Sequence, residues 1–173
     1  DLAERNSAEL TLLLVLEKIP SYVPEPAAQM LRDAQMQEGE AALAELSKLG
    51  SGHVKIETSI VEGTPFLRII RDVLRHGRDL VIKSVEHEVG LLGRIFGTSD
   101  MHILRKCPCP VWLIKPTAPK KIRRILAAVD FNEIDPNDNV VSDSLNREAL
   151  ELAGSLAASH EAELHVVHAW YPV

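Results

Sequence analysis

A chain of 173 residues, 46% hydrophobic and 25% charged, can bury a core as one domain, or as one domain and part of another. Its net charge of -6 and the lack of a dense Lys/Arg run argue against a nucleic-acid binder. Two cysteines make no disulfide framework and point to a reducing compartment. No apolar run is long enough to cross a membrane and no signal peptide is recognisable, so a cytoplasmic protein without a membrane partner is expected. Aromatic residues are scarce at 4%, while Leu, Ile, Val and Ala abound, which favours helices on a parallel sheet over a β-sandwich.

The chain opens on Asp1, without Met, in what reads as the tail of a helix, and a fragment is expected. Leu10 to Leu16 is a continuous apolar run, the pattern of a buried strand. Pro20, Pro24 and Pro26 stiffen the entry to a helix over about 27–49. Its apolar positions Met30, Leu31, Ala34, Ala41, Ala42, Leu46 and Leu49 fall roughly on one face, and Gly50 and Gly52 close it. Val54, Ile56, Thr58 and Ile60 alternate through a second strand. Thr64 at the cap and Pro65 at the first position start the next helix, which carries the stripe Phe66, Ile69, Ile70, Val73 and Leu74 and stops at Gly77.

The stretch from Asp79 to Pro116 organises the rest. It reads as a strand around Leu80–Lys83, a polar loop, a short helix starting at Gly97-Thr98-Ser99, and a strand from Pro110 to Ile114. A glycine there lets a ligand approach the backbone, a hydroxyl offers a cap, and the amides of a helix start suit a phosphate. An ordinary capped helix is the competing reading. After Pro116 the composition changes. Residues 117–121 read as a linker, 122–129 as a strand ending at Asp130, 132–139 as a polar loop and 144–159 as a helix. That helix has Leu145, Ala149, Leu152, Ala153 and Leu156 as its buried face, and 163–170 follows as a strand.

The spacing Ser84-x2-His87-x9-Gly97-Thr98, with Leu104-Arg-Lys-Cys-Pro-Cys-Pro-Val-Trp-Leu-Ile-Lys downstream, resembles the universal stress proteins, and among them the tandem-repeat type. Nucleotide-binding members carry Gly-x2-Gly-x9-Gly-Ser/Thr. Gly97 and Thr98 match, while Ser84 and His87 stand where the family has glycine. The resemblance implies an α/β, Rossmann-like (adenine nucleotide alpha hydrolase-like) fold: a mostly parallel five-stranded sheet with helices on both faces. It also implies candidate nucleotide positions at Gly97, Thr98 and Ser99, with ATP as the ligand. A side chain at 84 or 87 takes space a triphosphate would use, and Glu86 and Glu88 beside His87 add negative charge. Asp130 matches the family Asp that follows the first strand and contacts the nucleoside; the bland reading is an Asp ending a strand before a turn.

Residues 2–10 and 156–164 agree at five of nine positions, both as helix tails running into strands, at an offset of 154 residues. The expected organisation is therefore a first repeat over 1–116 lacking its opening strand and most of its first helix, a linker over 117–121, and the strand-helix-strand start of a second repeat over 122–173. The strand at 122–129 could fill the first repeat's vacancy, within the chain or between chains, so a homodimer or a strand-exchanged assembly is the expected partner state.

Other chemistry is poorly supported. His165 and His168, three apart in a strand, point to opposite faces and make a poor chelate, and the 86–88 cluster lacks a second half. Cys107 and Cys109 flank a proline beside Arg105 and Lys106, where a lowered thiol pKa is conceivable, though buried inert thiols are favoured. No Ser-His-Asp order or carboxylate pair suggests a hydrolase. Three functions stay open: a non-catalytic stress protein acting by association and small-ligand binding, an ATP-binding, weakly hydrolysing switch, and a dimerisation scaffold built on the edge Val111–Ile114.

Overall fold

The computed structural model describes residues 2–50, 53–85, 97–115, 117–118, 121–130 and 136–169, with 136–141 described for the backbone only. In chain order the elements are α1 (Leu2–Arg5), β1 (Leu10–Leu16), α2 (Glu25–Ser47), β2 (Ile56–Glu62), α3 (Pro65–His76), β3 (Val81–Ser84), α4 (Thr98–Lys106), β4 (Val111–Ile114), β5 (Arg124–Val129), α5 (Pro136–His160) and β6 (Glu163–His168). They fall into two compact units, Asp1–Pro116 and Thr117–Val173.

Every strand pair is parallel. β1 runs beside β2 from Leu10↔Ile56 to Leu16↔Glu62, β3 beside β4 from Val81↔Val111 to Ser84↔Ile114, and β5 beside β6 from Arg124↔Glu163 to Val129↔His168. Parallel neighbours cannot be joined by a tight hairpin and need a crossover. α2, α4 and α5 supply the three crossovers, so the chain is a series of strand-helix-strand units. A single five-stranded sheet is not formed among the described residues. The ladders are three separate pairs, because no strand joins β1–β2 to β3–β4, and β5 pairs with β6.

α2 buries a different face from the one its large apolar residues suggest. Ala28, Gly39 and Leu43 are buried, while Met30 is 74% and Leu49 81% exposed. Close approach to a leucine-rich strand decides this. A Cβ built on Gly39 would lie 2.6 Å from Leu14 Cδ2 and 3.5 Å from Ile60 Cδ1, so a residue with almost no side chain belongs there. α5 repeats the substitution of small for large: Ala153 and Ala157 are buried and Leu145 is 60% exposed. α5 also begins at Pro136, inside the stretch read as loop from its polarity.

α3 follows its expected boundaries. Thr64 is the N-cap, although its side chain makes no capping bond, and Pro65 takes the first turn. Gly77 ends the helix at φ 60, a left-handed position that suits glycine, and donates its N–H to the Val73 carbonyl at 2.9 Å. Val73 is buried, whereas Leu74, expected on the same stripe, is 68% exposed. Phe66 stacks on His102 with ring centroids 4.5 Å apart, and α3 packs on both β1 and α4. The second strand starts at Ile56, two residues after Val54. Gly52, Pro116 and Trp170, read as element ends, lie outside the described residues.

Replacing Gly39 by valine forces a branched side chain onto Leu14. The expected result in urea denaturation is a loss of about 1–3 kcal/mol, the usual range for overpacking.

Candidate functional site

The strand end of β3 and the helix start of α4 hold the residues singled out by spacing. Ser84 is the last residue of β3, exposed, and aligned with Ile114. Its neighbour Val85 is buried and donates its N–H to the Ile114 carbonyl at 2.9 Å. Gly97 is the N-cap of α4, with extended backbone at φ -66 and ψ 167, and it is buried. Thr98 and Ser99 are then the first and second helical residues, one exposed and one half-buried. The expected hydroxyl cap is not made: among the described residues no side chain caps the helix, because both hydroxyls lie past the N-cap position from which a side chain reaches back to the first amides. His87 lies outside the described residues.

The dominant feature of this corner is a charge pair that spacing alone did not pick out. Asp100, the third residue of α4, is fully buried at 0% exposure. Its Oδ1 accepts a hydrogen bond from Lys83 Nζ at 2.9 Å. The ammonium also donates to the Ser84 carbonyl at 3.1 Å, so Lys83 folds along the end of its own strand towards the first turn of α4. A carboxylate in the first turn of a helix is favoured by the helix dipole, and a buried carboxylate needs a cation and hydrogen bonds to be tolerated at all. The helix start thus holds an anion of its own. The clues in the sequence were a lysine interrupting the run Leu80-Val-Ile and an Asp three residues after a helix-starting glycine.

Asp130 follows β5, and its residue is exposed. Its main chain is clamped by α5. The Asp130 N–H donates to Asn146 Oδ1 at 3.0 Å, and its carbonyl accepts from Asn146 Nδ2 at 2.6 Å and Ser142 Oγ at 2.8 Å. Ser142 and Asn146 are one helical turn apart, a polar pair on one face that was a readable signal. On β6, His168 places Nδ1 3.1 Å from the Val129 carbonyl, which bonds when that nitrogen carries the proton. Among the described residues no three His, Cys, Asp or Glu converge as a metal site. A separate groove of about 490 Å³ lies between α2 and β2, lined by Met36, Glu40, Leu43, Thr58 and Ile60, none of them among the residues of the β3–α4 corner.

The Cys109 thiol follows the inert reading and not the lowered pKa that the neighbouring cations made conceivable. Burial, first, and then the neighbouring Cys107 push the Cys109 thiol up to about 11, with Asp79 acting in the same direction.

Comparison with known proteins matches residues 1–115 to the Universal stress protein family. The chain belongs to the universal stress protein family. Universal stress protein E of Escherichia coli K12 is 37% identical over 121 residues, which are 69% of this chain and 37% of that protein. A universal stress protein E homolog from Haemophilus influenzae is 30% identical over 127 residues, 72% of this chain and 40% of that protein. The chain therefore spans well under half the length of these relatives. Among solved structures, the functionally unknown protein PA1789 from Pseudomonas aeruginosa PAO1 superposes with a TM-score of 0.65 at 25% identity, over 98% of this chain and 53% of that one. UspA from Lactobacillus plantarum gives 0.58 at 22% identity, over 65% of this chain and 81% of that one. The fold is the α/β, Rossmann-like one of the family. The family match takes in β3, α4 and the Lys83–Asp100 pair, and Asp130 lies beyond it.

Two outcomes follow for this universal stress protein. Lys83→Met removes the cation from a buried carboxylate and is expected to cost about 3 kcal/mol or more, whereas Lys83→Met with Asp100→Leu should recover most of that loss in a double-mutant cycle read by denaturation. The second concerns pH. Because the Cys109 thiol is held protonated, its iodoacetamide labelling should keep rising beyond pH 10, where an ordinary thiol, with a pKa of about 8.5, has levelled off. Peptide mass spectrometry reads this site by site, and a Cys109 plateau by pH 10 contradicts it.

Proposed function

We propose that this chain serves a stress-response protein of the cytoplasm that acts by association, without catalysis, and that the helix start at Gly97-Thr98-Ser99 does not take ATP. The observation that carries this reading is the buried Asp100 carboxylate, paired with Lys83 at 2.9 Å in the first turn of α4. A phosphate brought to that turn would meet the negative charge of Asp100 in a buried place, and the Lys83 ammonium is already engaged with that charge. Ser84 in place of a family glycine works in the same direction.

Association is supported by apolar strand residues that remain in contact with water. Ile82 is 47%, Leu126 66% and Val166 53% exposed on three different strands. On this reading these strands belong to fuller sheets of the family's five-stranded kind, completed by neighbouring repeats or by a second copy.

A second reading keeps ATP as a ligand at Asp130. It is favoured by the exposed Asp130 at the end of β5, whose main chain Asn146 and Ser142 hold in place. Titration calorimetry with ATP, alongside sedimentation equilibrium on the same preparation, separates these readings. The expected result for this chain is a dimer or larger species with no heat of ATP binding. Binding of one ATP per chain that Gly97→Val abolishes would sink the main reading. Binding of one ATP per chain that survives Gly97→Val and is lost with Asp130→Ala would favour the second.

A further inference from the structure

The connection from α4 to β4 places two thiols together. Cys107 is the C-cap of α4, with its N–H donating to the Ile103 carbonyl at 2.9 Å and its backbone already extended. At the other end, the Pro110 carbonyl accepts the Val81 N–H at 3.0 Å, which ties the segment to the β3–β4 ladder. Pro108 restricts the backbone between these anchors. Held in this way, Cys107 Sγ and Cys109 Sγ lie 3.6 Å apart as free thiols in hydrogen-bond contact. Both are half-buried, and the proline between them is exposed, so a small solute can reach the pair. The separation exceeds the bonding distance of about 2.05 Å by about 1.5 Å.

We propose that Cys107 and Cys109 are a redox-active dithiol, oxidised by a peroxide to an intramolecular disulfide. The Cys107 thiolate attacks one peroxide oxygen, an S–O bond forms and the O–O bond breaks. The second oxygen leaves as hydroxide and is protonated to water. Cys109 Sγ then attacks Cys107 Sγ, the S–O bond breaks, and the hydroxyl departs with the proton of Cys109 as a second water. Two electrons pass from the dithiol to the peroxide, and any small thiol returns them by exchange. Burial, the touching Cys107 thiol and the Asp79 carboxylate disfavour a thiolate at Cys109, so within this contact pair Cys109 is assigned the resolving role and Cys107 the attacking one. A half-buried thiol whose partner is already in contact is trapped as a disulfide before further oxidation, which is what makes the pair reversible. The inference is independent of whether any nucleotide binds.

The test treats the folded protein with hydrogen peroxide, blocks remaining thiols with N-ethylmaleimide in denaturant, and reads the tryptic peptide that begins at Cys107. The expected peptide is unblocked and lighter by two hydrogens than the free dithiol, and dithiothreitol followed by fresh N-ethylmaleimide converts it to the doubly blocked form. With Cys109→Ser, Cys107 should accumulate as a sulfenic acid that dimedone captures. With Cys107→Ser, Cys109 should oxidise at least about tenfold more slowly than the wild-type pair. A wild-type peptide that stays doubly blocked overturns the proposal, as does a disulfide that joins two chains instead of the two cysteines of one. Equal oxidation of Cys109 with and without Cys107 overturns the assignment of roles.

Discussion

Parallel pairing is the constraint on which this structure rests. Two parallel strands cannot be closed by a turn, so each ladder exists only with a helix that carries the chain back to the start of the next strand. β1–α2–β2, β3–α4–β4 and β5–α5–β6 are three solutions of this one problem. The helix that makes the crossover must also cover the ladder, and in α2 and α5 small residues share that contact. Gly39 against Leu14 in α2, and Ala153 and Ala157 in α5, let the helix axis approach the strands, while longer side chains on the flanks reach solvent.

The ends of the strands are where this fold presents chemistry, and the two mapped examples are finished differently. After β3 the chain places a lysine and a buried aspartate within 2.9 Å, so the start of α4 is neutralised from within. After β5 the main chain of Asp130 is held by the amide of Asn146 and the hydroxyl of Ser142, and the residue stays exposed. The first arrangement fills its own anion position. The second fixes the backbone and leaves the acidic group facing water. Both use neighbours one crossover away, which is why the crossover helix matters as much to the sites as to the ladders.

Element types and most boundaries were legible. The run Leu10–Leu16 is β1 to the residue, and Thr64-Pro65 and Gly77 bracket α3 as their backbone preferences require. Faces were less legible. The apolar positions Met30, Leu31, Ala34, Ala41, Ala42, Leu46 and Leu49 point to one face of α2, whereas Ala28, Gly39 and Leu43 are buried, on the face where Gly39 meets Leu14. The capping expectation failed for a related reason: Gly97 itself took the N-cap, so the hydroxyls of Thr98 and Ser99 arrived one and two residues too late. For the thiols the favoured inert reading agrees with the raised Cys109 pKa, which burial, the neighbouring Cys107 and a carboxylate from before β3 push up, while the cations near in sequence, Arg105 and Lys106, do not lower it.

By itself the sequence determined the α/β class, the order of strands and helices, and the family, because these depend on local periodicity, on glycine and proline at turns, and on a spaced motif. Only the tertiary structure decided that Lys83 meets Asp100, that Asn146 clamps Asp130, and that Cys107 touches Cys109. The first two contacts join residues 17 and 16 positions apart, on different elements. The third depends on how both ends of a short loop are anchored. The reason is physical: a hydrogen bond or ion pair acts over about 3 Å, and only the packing of a helix against its strands brings such groups within that distance.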